Sequence, residues 1–320
     1  MLRVGIIGGA GYTAGELLRI LLNHPGVEIG FVQSSSNAGN PLWAVHSGLY
    51  GETDLRFSES APLDEVDVLF LCSGHGKSSA FWAEHPCPEG LKVIDLAQDY
   101  RDEHDGYVYG LPELQRERIV QAAKVANPGC FATAIQLALL PLAAAGLLPA
   151  EVNVTAITGS TGAGVKPGPT THFSWRSDNV STYKVFEHQH LLEINRSLRS
   201  LQGSYADTLA FVPVRGDFAR GILATAWLQC PLSLEEATAL YEDYYRDAAF
   251  TFVFPGNVDL KQVVNTNKCL LSLEKHGDKL VVGSVIDNLL KGASGQAVQN
   301  MNLMSGFPEK TGLQLKASAF

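Results

Sequence analysis

The chain has 320 residues, 46% hydrophobic and 18% charged, the balance of a folded two-domain protein, which excludes a disordered chain. Its net charge of −9 disfavours a nucleic-acid or anionic-membrane surface, though not a local basic pocket for phosphate. Five cysteines (Cys72, Cys87, Cys130, Cys230, Cys269), odd in number and lacking metal-ligand spacing, predict free thiols in a reducing compartment and no metal site.

Met1-Leu2-Arg3 runs straight into an apolar strand, with none of the pattern of a signal peptide. The nearest thing to a membrane span, residues 135–148, is too short and is diluted by Gly146 and alanines. A cytoplasmic protein with no membrane partner is expected. Residues 3–8 read as a strand, 11–23 as a helix, and 27–33, 66–71, 92–96 and 124–126 as further strands followed by turn or helix signals. Strands alternating with helical crossovers predict an α/β fold of Rossmann type, a doubly wound parallel sheet.

Between the first strand and first helix lies Gly8-Gly9-Ala10-Gly11-Tyr12-Thr13-Ala14-Gly15, which fits the G-x-G-x-x-A form of the dinucleotide fingerprint. Small residues let backbone approach a pyrophosphate, and a helix N-terminus favours its charge. The plainer alternative is a tight strand-to-helix turn that binds nothing. The second strand ends in Ser34-Ser35-Ser36-Asn37, without the carboxylate that would hold an NAD ribose. Ser34 and Ser36 suit a 2′-phosphate, so NADP(H) is the expected cofactor, although no arginine follows them.

Asn127-Pro128-Gly129-Cys130 joins a strand to an apolar helix over 131–142 and places Cys130 in the first helical turn. There the unpaired N–H groups and the helix dipole favour a thiolate, the nucleophilic form. The alternative is a buried structural cysteine, the reading adopted for the other four.

Beyond about Ala150 the pattern becomes strand-rich, at 152–158, 209–214, 222–229, 269–274 and 279–286. Ser233 and Glu236 form a capping box ahead of a helix. A second domain of α+β type follows, spanning 151–292. Residues 1–150 form the cofactor domain, to which 293–320 return.

These motifs together resemble the N-acetyl-gamma-glutamyl-phosphate reductases over nearly the whole chain: GGAGYTAGELL at 8–18, VIDLAQDYR at 93–101, YGLPEL at 109–114, NPGCFATA at 127–134, TGSTGAG at 158–164, RGI at 220–222 and DNLLKGASGQAVQ at 287–299. The resemblance implies a Rossmann domain for NADP(H), a mixed-sheet second domain for substrate and oligomerisation, a small acyl-phosphate substrate, and a homodimer or homotetramer. It implies that Cys130 displaces phosphate to form a thioester, which hydride reduces to release a semialdehyde for arginine biosynthesis. On this resemblance Gly162 and Asn288 are assigned to the cofactor and Asn127 and Ser160 to the substrate. Backbone N–H groups of 159–164 are expected to face a phosphate or oxyanion.

Two departures from the resemblance stand out. Many relatives carry a histidine where this chain has Val214, in FVPVRGDFARGI. His188 and His190 inherit the acid–base role, with His172 a weaker candidate. Relatives also continue with an acidic residue where this chain has Trp175-Arg176. Arg176 could pair with an extra carboxylate, which points to an N-succinyl rather than N-acetyl group, or form a solvent-facing salt bridge. Arg215 and Arg220 are alternative anchors. Rival functions are a semialdehyde dehydrogenase acting on aspartyl or aminoadipyl phosphate, and a non-catalytic NADP-binding redox sensor.

Overall fold

Val4, Ile6 and Ile7 are buried on β1 (Leu2–Ile7), from which the first sheet grows in the computed structural model, which describes residues 1–318. α1 (Tyr12–Leu21) follows, then β2 (Val27–Gln33), β3 (Val68–Leu71), α2 (Ser78–Glu84), β4 (Lys92–Asp95), β5 (Tyr107–Tyr109), α3 (Pro112–Val120) and β6 (Lys124–Ala126). The strand order is β2-β1-β3-β4-β6-β5 and every pairing is parallel. All four residues of β3 are buried, as expected of a parallel strand covered on both faces. On α1, Ala14, Leu17, Leu18 and Leu21 recur at helical spacing and bury one face against the sheet.

The first compact unit is Met1–Pro128 with Ala293–Gln314, and the second is Gly129–Gly292 with the described residues after Gln314. The change of unit thus comes at Gly129, earlier than the strand pattern near Ala150 suggests. The reason is α4 (Cys130–Ala144), which is buried on almost every side and packs against strands and helices of the second unit. Pro141 lies inside α4 and has no N–H to offer the carbonyl of Leu137. The Tyr245 hydroxyl replaces it, donating to Leu137 O at 2.6 Å, and Tyr241 donates to Ala138 O at 2.5 Å.

The second unit continues with β7 (Val152–Thr158), α5 (Phe173–Arg176), β8 (Ser181–Thr182), α6 (His190–Leu201), β9 (Leu209–Arg215), β10 (Ile222–Gln229), α7 (Leu234–Tyr244), β11 (Thr251–Val253), β12 (Cys269–His276) and β13 (Lys279–Ile286). Its mixed sheet runs β11-β12-β13-β10-β7-β9-β8. β7 and β10 alternate buried and half-buried residues, so one face meets the helices. The predicted capping box is present: Ser233 Oγ accepts from Glu236 N, and Glu236 accepts from Ser233 N. The chain then re-enters the first unit through α8 (Gly295–Met304), all of whose residues are buried.

Candidate functional site

In the first unit the glycine-rich turn closes through Gly9 N–H to Gln33 O at 2.8 Å and Gly11 N–H to Gly8 O at 3.3 Å. Gly8 has φ +78°, and a Cβ on it would fall 2.8 Å from the Cys72 backbone, so only glycine fits. A Cβ on Gly9 would fall 2.4 Å from Val32 Cγ1. Gly11, by contrast, caps α1 without a side-chain bond and has nothing nearer than 3.8 Å. Its open side and the unsatisfied N–H groups of the first turn fit a pyrophosphate. Ala10 and the exposed Tyr12 border this opening.

Other residues of the motif face inward. The Thr13 hydroxyl bonds the Cys72 thiol; burial pushes that thiol up to about 12, and Asp95 adds to the rise. Asp95, at the end of β4, is itself pushed up to about 6 by burial. Ala14 is fully buried, and a Cβ on Gly15 would meet His46 Nδ1 at 2.7 Å. The expected direct contact with cofactor is therefore corrected for Ala14 and Gly15, which shape the turn from within.

At the end of β2, Asn37 Nδ2 donates to Ser34 Oγ at 3.2 Å and to Ser36 Oγ at 3.0 Å. The segment carrying Arg56 runs alongside, with Ser34 N–H bonded to Ser58 O and Gly39 N–H to Phe57 O. Sequence reading found no arginine here because this one comes from a stretch distant along the chain.

In the second unit Cys130 is the first residue of α4 and is partly exposed. Gly129 has an ordinary φ of −71°, so its lack of a side chain answers to space. A Cβ there would lie 2.3 Å from His190 Nε2, so the imidazole rests on the peptide leading into Cys130. Gly129 N–H donates to Glu193 Oε2 at 3.0 Å, and Glu193 Oε1 lies 3.9 Å from His190 Nε2. His190 and Glu193, three apart on α6, share one helix face, and both are almost wholly buried. On the other side, a Cβ on Gly292 would fall 2.8 Å from Cys130 Cβ.

His188 sits among Phe131, Tyr183 and Phe211, and its Nδ1 accepts from His190 N–H at 3.2 Å. Burial, with Lys184 and Arg215 nearby, pushes its imidazole down to about 4. At that value it is neutral near pH 7, and its ring braces the His190 backbone. Burial raises the Tyr183 phenol to about 12, with neighbouring Cys130 adding to the rise and Arg215 opposing it. Arg215 lies 4.4 Å over the Tyr183 ring, and its buried Nε has no hydrogen-bond partner.

Several other expected site residues have different work. Asn127 is 1% exposed, donates to Ala293 O at 3.0 Å and accepts from Asn300 at 3.1 Å. It ties the end of β6 into the first unit rather than meeting substrate. Arg176 is buried, with Nη1 donating to the carbonyls of Asn179 and Arg215, and Nη2 to Thr170 O and Ser181 Oγ. It is neither a free carboxylate anchor nor a solvent-facing salt bridge. Arg220 pairs at 3.0 Å with fully buried Asp287, so its charge is already matched. Asn288 accepts from Gly221 N–H at 2.7 Å and donates to Thr161 at 3.0 Å, stapling the 159–164 turn. The amides of Gly159, Ser160, Thr161 and Gly164 are bonded to nearby carbonyls, which corrects the expected anion cradle at those four positions. Gly162 stays uncrowded.

Glu193, Tyr183 and Arg56 are functional candidates that sequence reading missed. Only Glu193 had a local signal, its i+3 spacing from His190, and that signal depends on recognising the helix. Among the described residues no group of three or more His, Cys, Asp or Glu could hold a metal ion, and no helix is long and apolar enough to cross a membrane.

Two family models match the chain: "Semialdehyde dehydrogenase, NAD binding domain" over residues 3–122 and "Semialdehyde dehydrogenase, dimerisation domain" over residues 130–288. An N-acetyl-gamma-glutamyl-phosphate reductase of Phocaeicola vulgatus is 61% identical over 323 residues, covering 100% of both chains. One of the same description from Flavobacterium johnsoniae is 54% identical over 327 residues, again with 100% of both covered. Among solved structures, aspartate semialdehyde dehydrogenase II from Vibrio cholerae superposes with TM-score 0.76 at 18% identity, over 96% of this chain and 98% of that one. The aspartate semialdehyde dehydrogenase of Francisella tularensis gives TM-score 0.71 at 15% identity, over 95% and 100% of the two chains. These likenesses show a shared fold.

Proposed function

The chain belongs to the N-acetyl-gamma-glutamyl-phosphate reductase family, and from that membership we propose that it reduces N-acetyl-gamma-glutamyl phosphate to the 5-semialdehyde with NADPH, through a thioester on Cys130, in arginine biosynthesis. The observation that carries this reading is His190 lying against the Gly129 peptide with Glu193 beside it, one residue before a partly exposed cysteine.

His190 takes the thiol proton, and the Cys130 sulfur attacks the acyl carbon. The bond from that carbon to the phosphate oxygen breaks, leaving inorganic phosphate and a thioester. Residues of the first-unit turn would hold the pyrophosphate of a nicotinamide dinucleotide, which when bound would supply the hydride. His190, now an imidazolium, protonates the oxyanion left by hydride addition and so gives the thiohemiacetal. Collapse breaks the carbon–sulfur bond, frees the aldehyde and returns the thiol. Glu193 favours the imidazolium by its charge and holds the Gly129 peptide by its hydrogen bond. Tyr183, kept protonated by its raised pKa, and Arg215 supply a donor and a cation for the substrate's anionic groups.

With Arg176 committed to the protein, the case for an N-succinyl substrate loses its anchor, and N-acetyl is the reading favoured here. Turnover of N-acetyl, N-succinyl, aspartyl and aminoadipyl phosphates side by side checks it. Self-association is supported by the dimerisation-domain match and by the exposed apolar side chains of Phe173, Val180, Phe186 and Leu192 in the second unit. Light scattering would distinguish homodimer from homotetramer. Cysteines that form no disulfide among the described residues suit the reducing cytoplasm.

The chemistry is tested by trapping the acyl-enzyme by mass spectrometry in wild type and Cys130→Ser. A label on the Cys130 peptide that vanishes in the variant supports the thioester. A label elsewhere, or one that survives the substitution, overturns it.

A further inference from the structure

We propose that Arg56 makes this dinucleotide site select the 2′-phosphorylated cofactor, an inference that rests on the nicotinamide reading above and sharpens it. In a doubly wound sheet the adenosine ribose lies beyond the carboxyl end of the second strand. Here that end offers no carboxylate to accept from a free 2′-hydroxyl. It offers Ser34 and Ser36, whose oxygens accept from Asn37 Nδ2, leaving their O–H protons to donate elsewhere. Two neutral hydroxyls are a weak match for a dianion, and the site needs a cation.

Arg56 is the only lysine or arginine between Arg19 and Lys77, and the fold brings it to this loop. Its segment lies beside the end of β2 and runs parallel to it: Ser58 N–H bonds Val32 O at 2.8 Å and Ser34 N–H bonds Ser58 O at 3.0 Å. Next to it Phe57 is 2% exposed, and a Cβ on Gly9 would lie 3.2 Å from its ring, so Phe57 is turned under the glycine turn. Successive side chains on an extended segment point to opposite faces, which turns Arg56 outward, where it is exposed. Its Nη1 donates to Gly39 O at 2.8 Å, in the loop that begins at Ser34. That bond fixes the guanidinium while Nε and Nη2 stay available, as bidentate phosphate recognition requires.

The test measures dissociation constants of NADPH, NADH and 2′,5′-ADP on the full-length protein, wild type against Arg56→Ala and Arg56→Lys. Loss of one charge-assisted contact should weaken NADPH and 2′,5′-ADP by roughly ten- to a hundredfold in Arg56→Ala. NADH affinity should stay unchanged, which also certifies the fold, and Arg56→Lys should recover part of the loss. An unchanged ratio of NADPH to NADH affinity in Arg56→Ala overturns the role of Arg56 alone. Failure of the wild type to bind either dinucleotide overturns the cofactor reading and this proposal with it.

Discussion

Gly129 and His190 compete for one volume: the Cβ that any other residue would place at Gly129 lies 2.3 Å from His190 Nε2. Gly129→Ala must therefore push the imidazole off the peptide that leads into Cys130. A misplacement of about 1 Å can cost on the order of a hundredfold in rate, so kcat/KM should fall by about that factor. Alkylation of Cys130 by iodoacetamide should slow in parallel. A variant with wild-type kcat/KM would show that the close approach has no catalytic weight.

Glu193→Gln separates the two jobs of the carboxylate. The amide oxygen still accepts from Gly129 N–H, but the charge 3.9 Å from His190 Nε2 is gone. The limb of the pH–rate profile that reports the imidazole should move to lower pH, because the carboxylate no longer favours the imidazolium. Glu193→Ala removes the hydrogen bond as well and should lower kcat by a further tenfold or so. A group that merely held the backbone would leave the pH limb of Glu193→Gln where it was.

Arg220→Gln should destabilise the protein without a selective rise in KM. Asp287 is fully buried and would lose its partner at 3.0 Å, at a cost of about 3 kcal/mol. Urea unfolding and steady-state kinetics together decide it. Normal stability with a large rise in KM would return Arg220 to the substrate.

His188, pushed down to about 4 by burial, makes stability depend on pH in a definite direction. The unfolded chain takes up a proton near 6.5, the folded one only near 4. Its contribution is therefore complete above pH 6.5 and is lost as pH falls through that window. Asp95, raised to about 6, acts with the opposite slope, since the folded state holds its proton more tightly. Comparing wild type with His188→Gln cancels Asp95. The variant's melting temperature should decline less steeply between pH 6.5 and 4, and identical slopes would refute the assignment.

Much of the fold was legible because short-range signals carried it. The runs at 152–158, 222–229 and 279–286 are strands with the expected limits, and Ser233 caps its helix as its spacing with Glu236 required. The glycine turn and Cys130 at a helix start were legible for the same reason. The unit boundary was not, because α4 is buried on almost every side and its sequence does not say which sheet it covers. Arg176 and Arg220 were not separable from Arg215, since a guanidinium looks alike in sequence whether it meets substrate, a buried carboxylate or, like Arg176, four oxygens of its own chain. His190 was separated from His188 only by contacts made by the folded backbone, at Gly129 for the one and inside an aromatic cage for the other.

Gly129, His190, Glu193, Tyr183 and Gly292 all belong to the same unit as Cys130, while the dinucleotide turn belongs to the other. On the mechanism proposed above, loading of the sulfur would draw on groups of that one unit and would not require the reductant to be bound. If that thioester forms, the protein starved of NADPH would accumulate in its acylated form, exchanging phosphate with the medium and leaking slowly to water.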